Sequence, residues 1–228
     1  MDTTPEEQSI LDTISSSQDR MVSTLVEWSH LNSGSKNAAG LAKMRIELAK
    51  AFQVLPGEVS DISLSEGSYV EADGTVSNVI YEPSLLATVR PTAPIQIVFT
   101  GHYDTVFPEN SHFQATRMID NETMNGPGVA DMKGGILVML EALKAFESHP
   151  SATQVGYNIL LSPDEEIGSP GSAPILHKLG QQADIGLTYE PALADGSMAG
   201  ARKGSGNFAL IVKAVSYTHL TLPTTPYV

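Results

Sequence analysis

Four short runs in this 228-residue chain carry side chains that can hold a hard metal ion. They are Gly101-His102-Tyr103-Asp104, Gly126-Pro127-Gly128-Val129-Ala130-Asp131, Ser162-Pro163-Asp164-Glu165-Glu166 and Glu190-Pro191. There is no Cys, so thiolate zinc sites and disulfide scaffolds are excluded and any metal must be held by His, Asp and Glu. Such ligands suit a pair of divalent ions that hydrolyse an amide: one ion polarises the carbonyl, and a shared water ionises near neutral pH. That chemistry needs a bridging carboxylate, a few terminal ligands, and one carboxylate kept off the metal to carry the proton. Glu165 and Glu166 leave the backbone in different directions, so one can ligate while the other serves as base. Asp104 lies two residues from His102 on the same extended strand end, where it can orient the imidazole.

Taken singly, each run has a plainer explanation. His-x-Asp at a strand end is commonly a hydrogen-bonded loop, and a Glu-Glu pair is commonly a solvated face. Asp131 before a helix reads first as an N-cap, and Glu190 can simply end a strand. Gly126-x-Gly128 lacks the third glycine and the Gly-Lys-Ser/Thr of a phosphate loop. Joint occurrence in order, each at an element end, is what points to a site. His30, His112, His149 and His177 fall outside the four runs and receive no catalytic role.

The elements that would position these runs follow from periodicity. The first 54 residues read as helical, with Ile10, Ile14, Leu25 and Trp28 near helical spacing. After the polar break Asn32-Ser33-Gly34-Ser35-Lys36, a second helical stretch from about Ala38 to Phe52 places Leu41, Met44, Leu48 and Phe52 on one face. Beyond Pro56-Gly57, short β-branched runs at 61–64, 85–89 and 95–100 read as strands. Lys133 to Phe146 is a helix with Ile136, Leu137, Leu140 and Leu143 in phase, 155–161 a continuous apolar strand, 174–179 a short helix and 184–189 another strand. Alternation of this kind, with strands buried on both faces, gives an α/β fold: a three-layer α/β/α domain around a mixed, largely parallel sheet. Function in such sheets collects where strands end and loops begin; three runs follow strands, the fourth enters the helix from Lys133, and with parallel strands all four emerge on one edge.

Composition removes other classes. Thirteen Lys and Arg stand against 26 Asp and Glu, a formal net charge of −13, so nucleic acid and anionic membrane are poor partners. Hydrophobic residues make up 41%, enough for a core. No apolar run approaches the ~20 residues of a membrane helix. The start MDTTPEEQSI has neither the basic region nor the apolar stretch of a signal peptide, and a cytoplasmic location is the expectation.

The runs Gly101–Pro108, Gly126–Gly135, Asp164–Ser169 and Tyr189–Pro191 resemble those of the two-metal amidohydrolases related to glutamate carboxypeptidase, acetylornithine deacetylase, succinyl-diaminopimelate desuccinylase and aminoacylase. The resemblance covers roughly residues 5–214 and looks nearest to the glutamate carboxypeptidase branch. It implies a phosphorylase/hydrolase-like catalytic domain over 1–204 and the first strand of an α+β lid or dimerisation domain over 205–214. It also implies roles: His102 and Glu190 as ligands of one metal, Asp131 bridging both, Glu166 on the second, Glu165 as general base and Asp104 holding the His102 ring. The cofactors would be two divalent ions, Zn²⁺ first, with Co²⁺ or Mn²⁺ as substitutes. The Asp131–Met132 peptide would be cis. Glu rather than Asp at position 190 leans toward amides beside a free carboxylate, so the partners would be small peptides or N-acyl amino acids. A homodimer through the lid would be open to the full-length form.

Two departures from the family pattern shape the remaining expectations. Asn207 to Lys213 reads as the first lid strand, after which the family's lid histidine and final His ligand have no counterpart. Val215 to Thr224 reads as the translation of a transposon adapter used for sequencing libraries, so 215–228 is expected to be an artefactual tail and the 228-residue chain to be inactive. The competing readings are a co-catalytic zinc aminopeptidase or dipeptidase, and a non-catalytic homologue that keeps the fold for binding or dimerisation.

Overall fold

Thr4-Pro5-Glu6-Glu7 opens the first helix, α1 (Pro5–Ser15), with a reciprocal cap in the computed structural model, which describes residues 3–71, 73–193 and 195–198. Thr4 Oγ1 accepts from Glu7 N at 3.2 Å, and Glu7 Oε2 accepts from Thr4 N at 2.7 Å. The single N-terminal helical region read from spacing is in fact two helices, α1 and α2 (Gln18–His30). Ser15, Ser16 and Ser17 cause the break: their hydroxyls fold back onto the carbonyls of Leu11 and Thr13, competing with the helical ladder.

Helix α3 (Ala38–Phe52) is capped by Asn37, whose side chain accepts from Gly40 N at 3.0 Å. Its buried face is Leu41, Met44, Leu48 and Phe52, as the spacing requires. Among the described residues nine strands follow: β1 (Glu58–Ile62), β2 (Gly67–Val70), β3 (Val76–Val79), β4 (Ser84–Val89), β5 (Ile95–His102), β6 (Arg117–Met118), β7 (Met124–Asn125), β8 (Val155–Ser162) and β9 (Ile185–Thr188). Helix α4 (Lys133–Glu147) lies between β7 and β8, and α5 (Ala173–Gln182) between β8 and β9.

Five of these strands form one sheet, in the order β1-β4-β8-β5-β9 among the described residues. The pairs β8–β5 and β5–β9 are parallel, whereas β4 runs antiparallel to both β1 and β8. Four strands therefore point one way and only β4 opposes them, a mixed sheet as expected. One face carries Leu85, Phe99, Tyr157, Ile159 and Leu161 beneath α2, α3 and α4. The other carries Val98 and Leu160 beneath Leu179 of α5. The layers are thus α/β/α, with the larger core under the N-terminal helices. Arg20 of α2 binds Glu141 of α4 through both oxygens at 2.9 and 2.8 Å, tying two of those helices together.

Three local expectations are corrected. The first strand lies at 58–62 rather than 61–64. The hairpin β2–β3 escapes the pattern reading because most of its residues are exposed and alternate no apolar face; Asp73-Gly74 at its turn is the signal that could have found it. β9 falls within the strand read at 184–189 but is exposed rather than buried along its length; among the described residues it has β5 on one side only. No helix among the described residues is long and apolar enough to cross a membrane. The lid strand and the tail fall at 205–228, outside the described residues.

Candidate metal centre

Parallel alignment of β5, β8 and β9 puts their C-terminal ends on one edge, with His102 opposite Ser162 and Thr100 opposite Thr188. His102 ends β5, Glu165 and Glu166 follow β8, Glu190 follows β9, and Asp131 enters from the turn before α4. Helix α4 approaches this edge through Gly135, where a Cβ would lie 2.0 Å from Tyr189 O. Only glycine lets the helix that follows Asp131 touch the strand end that precedes Glu190. Gly135→Ala is therefore expected to push the two apart, lowering metal affinity together with stability, the latter by about 1–3 kcal/mol. Metal titration and chemical unfolding of the variant check this, and unchanged values in both would refute it.

The side chains meet around His102, which is 1% exposed. Its Nδ1 lies 3.2 Å from Asp104 Oδ1 and 3.1 Å from Asp104 O. Its Nε2 lies 2.9 Å from Asp131 Oδ1, 3.4 Å from Glu190 Oε1 and 3.7 Å from Glu165 Oε2. Burial alone pushes this imidazole down, but the hydrogen bonds and charges of Asp104 and Glu190 outweigh it and lift its pKa to about 11. A field that holds a proton there also favours a divalent cation. Asp131 does not cap α4: the N-cap is Met132, which makes no side-chain cap bond. The Asp131 carboxylate instead faces His102, and the Asp131–Met132 peptide is cis.

One ligand atom from each of His102, Asp131 and Glu190 falls within 4.8 Å of the others. One imidazole and two carboxylates with a side open to solvent are the number and kind of donors a catalytic zinc takes, so the residues present fit a metal. Glu166 stands on the Glu165 loop but outside that trio. Burial pushes its carboxyl up to about 7; the Asp131 charge adds to this, His102 opposes it, and Asp104 and Glu165 add further. Burial also raises Glu165, with His102 opposing and Glu190, Asp104 and Asp131 adding to the rise. All six residues singled out in the sequence are therefore on one sheet edge, with the trio in mutual reach.

Several supporting residues were missed. Asp164 is fully buried and its Oδ2 accepts from Gly171 N at 2.7 Å and Ser172 N at 3.0 Å, closing the loop that carries Glu165 and Glu166. Lys133 is 1% exposed and its Nζ donates to carbonyls at the C-terminal end of α2, Trp28 O at 3.0 Å and that of the C-cap residue, Leu31 O, at 2.7 Å. Burial pulls its amine down to about 7. A lysine in phase with Ile136, Leu137 and Leu140 on the core face was the available signal. Among the histidines set aside, His30 pairs with Thr116 and His149 caps the turn at Ser151.

Comparison with known proteins gives the family and the fold. The model for the peptidase family M20/M25/M40 matches residues 98–220. Carboxypeptidase G2 of Pseudomonas sp. (strain RS-16) is 23% identical over 177 residues, which are 78% of this chain and 40% of that protein. Succinyl-diaminopimelate desuccinylase of Gluconobacter oxydans (strain 621H) is 31% identical over 153 residues, 60% of this chain and 39% of that one. Human carnosine dipeptidase 1 superposes with a TM-score of 0.65 at 21% identity, covering 81% of this chain and 41% of that structure. A metallo-carboxypeptidase of the M20 family from Sulfolobus solfataricus does so with a TM-score of 0.58 at 20% identity, covering 77% and 38%. These two structures speak for the fold alone. The chain spans about two-fifths of the length of the relatives it matches.

Proposed function

The chain belongs to peptidase family M20/M25/M40, and from that premise we propose that it is the N-terminal part, 1–204, of the catalytic domain of a metal-dependent hydrolase. The reaction would cleave an amide or peptide bond next to a free carboxylate, in the manner of a carboxypeptidase or an N-acyl-amino-acid deacylase. The observation that carries it is the convergence of His102, Asp131 and Glu190 within 4.8 Å, with the Glu165 carboxylate beside them. His102, Asp131 and Glu190 would hold a divalent ion, Zn²⁺ first, which when bound polarises the amide carbonyl and makes water a better nucleophile. Asp131 and Glu166 would serve a second ion.

The protein groups divide the remaining work. Asp104 fixes the ring of His102 from the Nδ1 side, leaving Nε2 toward the other ligands. Glu165 is half-exposed at 48% and stands 3.7 Å from His102 Nε2, so its carboxylate can take a proton from water and return it to the departing amine. Buried Asp104 and open Asp131 and Glu165 form a floor and a rim, with substrate admitted from the solvent side. Glu at position 190 and the names of the two sequence relatives support the preference for a carboxylate beside the scissile bond.

The second ion has two protein donors among the described residues, Asp131 and Glu166, where a catalytic zinc ordinarily has three. We therefore expect the 228-residue chain to be inert. Extended with the downstream reading frame and loaded with Zn²⁺ or Co²⁺, it should hydrolyse N-acyl amino acids or short peptides and spare the matching C-terminal amides. Cleavage that requires a free amino terminus and ignores the carboxylate would favour the aminopeptidase or dipeptidase reading. Metal uptake with no turnover of any of these would favour a binding homologue, and brisk hydrolysis by the 228-residue form would overturn the expectation of inactivity.

A further inference from the structure

The polar break between α2 and α3 does more than separate two helices. Its backbone lies along the strand extension that carries Asp104: Thr105 N donates to Ser33 O at 2.9 Å, and Ser35 N donates to Thr105 O at 3.2 Å. Gly34 forms a parallel bridge with Thr105 between them. A Cβ on Gly34 would lie 2.3 Å from Phe107 O, so only glycine permits so close a strap.

From this strap Ser35 Oγ donates to Asp104 Oδ2 at 2.7 Å. Asp104 is fully buried, and four groups converge on its two oxygens. Oδ2 takes the Ser35 hydroxyl and Glu166 N at 3.2 Å; Oδ1 takes Glu165 N at 3.2 Å and faces His102 Nδ1 at 3.2 Å. One carboxylate thereby ties a candidate ligand on β5 to the backbone of the Glu165–Glu166 pair after β8. The hydroxyl makes the shortest of the four contacts and is charge-assisted, so it sets the plane in which the other three are met.

We propose that Ser35 is a positioning residue of the metal centre, acting through Asp104 to aim both His102 and the Glu165–Glu166 pair. The inference rests on the reading of those residues as parts of a hydrolytic metal site. Ser35→Ala leaves Oδ2 with the longer Glu166 N–H bond alone, so the carboxylate is free to turn and both of its clients loosen. Asp104 itself keeps its charge and burial in that variant.

The same strap contains its own control. Ser33 is fully buried, its Oγ has no hydrogen-bond partner among the described residues, and its carbonyl supplies the strap contact. Ser33→Ala therefore removes a hydroxyl from the loop without touching Asp104. In the metal-free 228-residue chain, Ser35→Ala should speed amide hydrogen exchange at Glu165 and Glu166 by about tenfold, the effect of losing roughly one net hydrogen bond. Ile159 and Leu160 in β8 should keep their rates, which separates local loosening from general destabilisation. Ser35→Thr should restore the slow exchange, and Ser33→Ala should leave it unchanged. Co²⁺ titration followed by the visible d–d spectrum should give about tenfold weaker binding for Ser35→Ala, as for other outer partners of a ligand. Equal exchange at Glu165 and Glu166 in Ser35→Ala and Ser33→Ala would overturn the positioning role. Absence of Co²⁺ binding in the unsubstituted chain would instead sink the metal-centre reading, with the exchange measurement still deciding what Ser35 does to the loop.

Discussion

Glu165→Gln, in the chain extended with its downstream reading frame, is expected to keep its metal and lose its turnover. Gln has nearly the shape of Glu but cannot accept a proton from water. The loss in kcat should reach at least the ~10²–10⁴-fold that a general base supplies. Metal content should hold because Glu165 lies outside the trio of His102, Asp131 and Glu190. The neighbouring Glu166→Gln should behave differently, releasing one ion as well as slowing the reaction. Metal analysis beside single-turnover rates distinguishes the two. Near-normal rates in Glu165→Gln would mean that the roles within the pair are misassigned.

Asp131→Ala should have the largest effect on metal binding itself. Its carboxylate is the 2.9 Å partner of His102 Nε2, and among the neighbouring charges it acts most strongly on Glu166. A carboxylate serving both ions removes a donor from each when it is lost. The fall in Co²⁺ or Zn²⁺ affinity should therefore exceed the ~10–100-fold typical of an outer partner. The fold should survive, because the Asp131 side chain is 54% exposed and does not cap α4. Calorimetric metal titration with a parallel thermal scan checks both parts; retained affinity would remove Asp131 from the bridging role.

Much of this site was legible because its chemistry is local in sequence. His102-x-Asp104 and Glu165-Glu166 are pairs close in sequence, each placed after an apolar run that reads as a strand. The faces of α3 and α4 were equally readable, since a helix that covers a sheet must repeat its apolar residues at three and four. Segments without a burial contrast were not readable. The exposed hairpin β2–β3 offered no alternation to detect, whereas β9, though exposed, was read as the strand at 184–189. The split of the first helix turned on three serines whose hydroxyls compete for carbonyls, a contest that periodicity does not record.

What the sequence by itself determined was the inventory: which residues can hold a metal, which pair can divide ligation from proton transfer, and the alternation that demands an α/β sheet. Which of those residues meet was decided by tertiary structure, because it depends on strand order. Placing β5 between β8 and β9, with all three parallel, brings residues 102, 165 and 190 to one edge although as many as 88 positions separate them. The supports were decided there as well. Ser35 reaches Asp104 across 69 residues and Lys133 reaches Trp28 across 105. A lone serine in a polar loop and a lone lysine in a helix carry no local sign of a partner so distant. Their roles come from burial, which removes water as the alternative partner and leaves each group to the protein atom within reach.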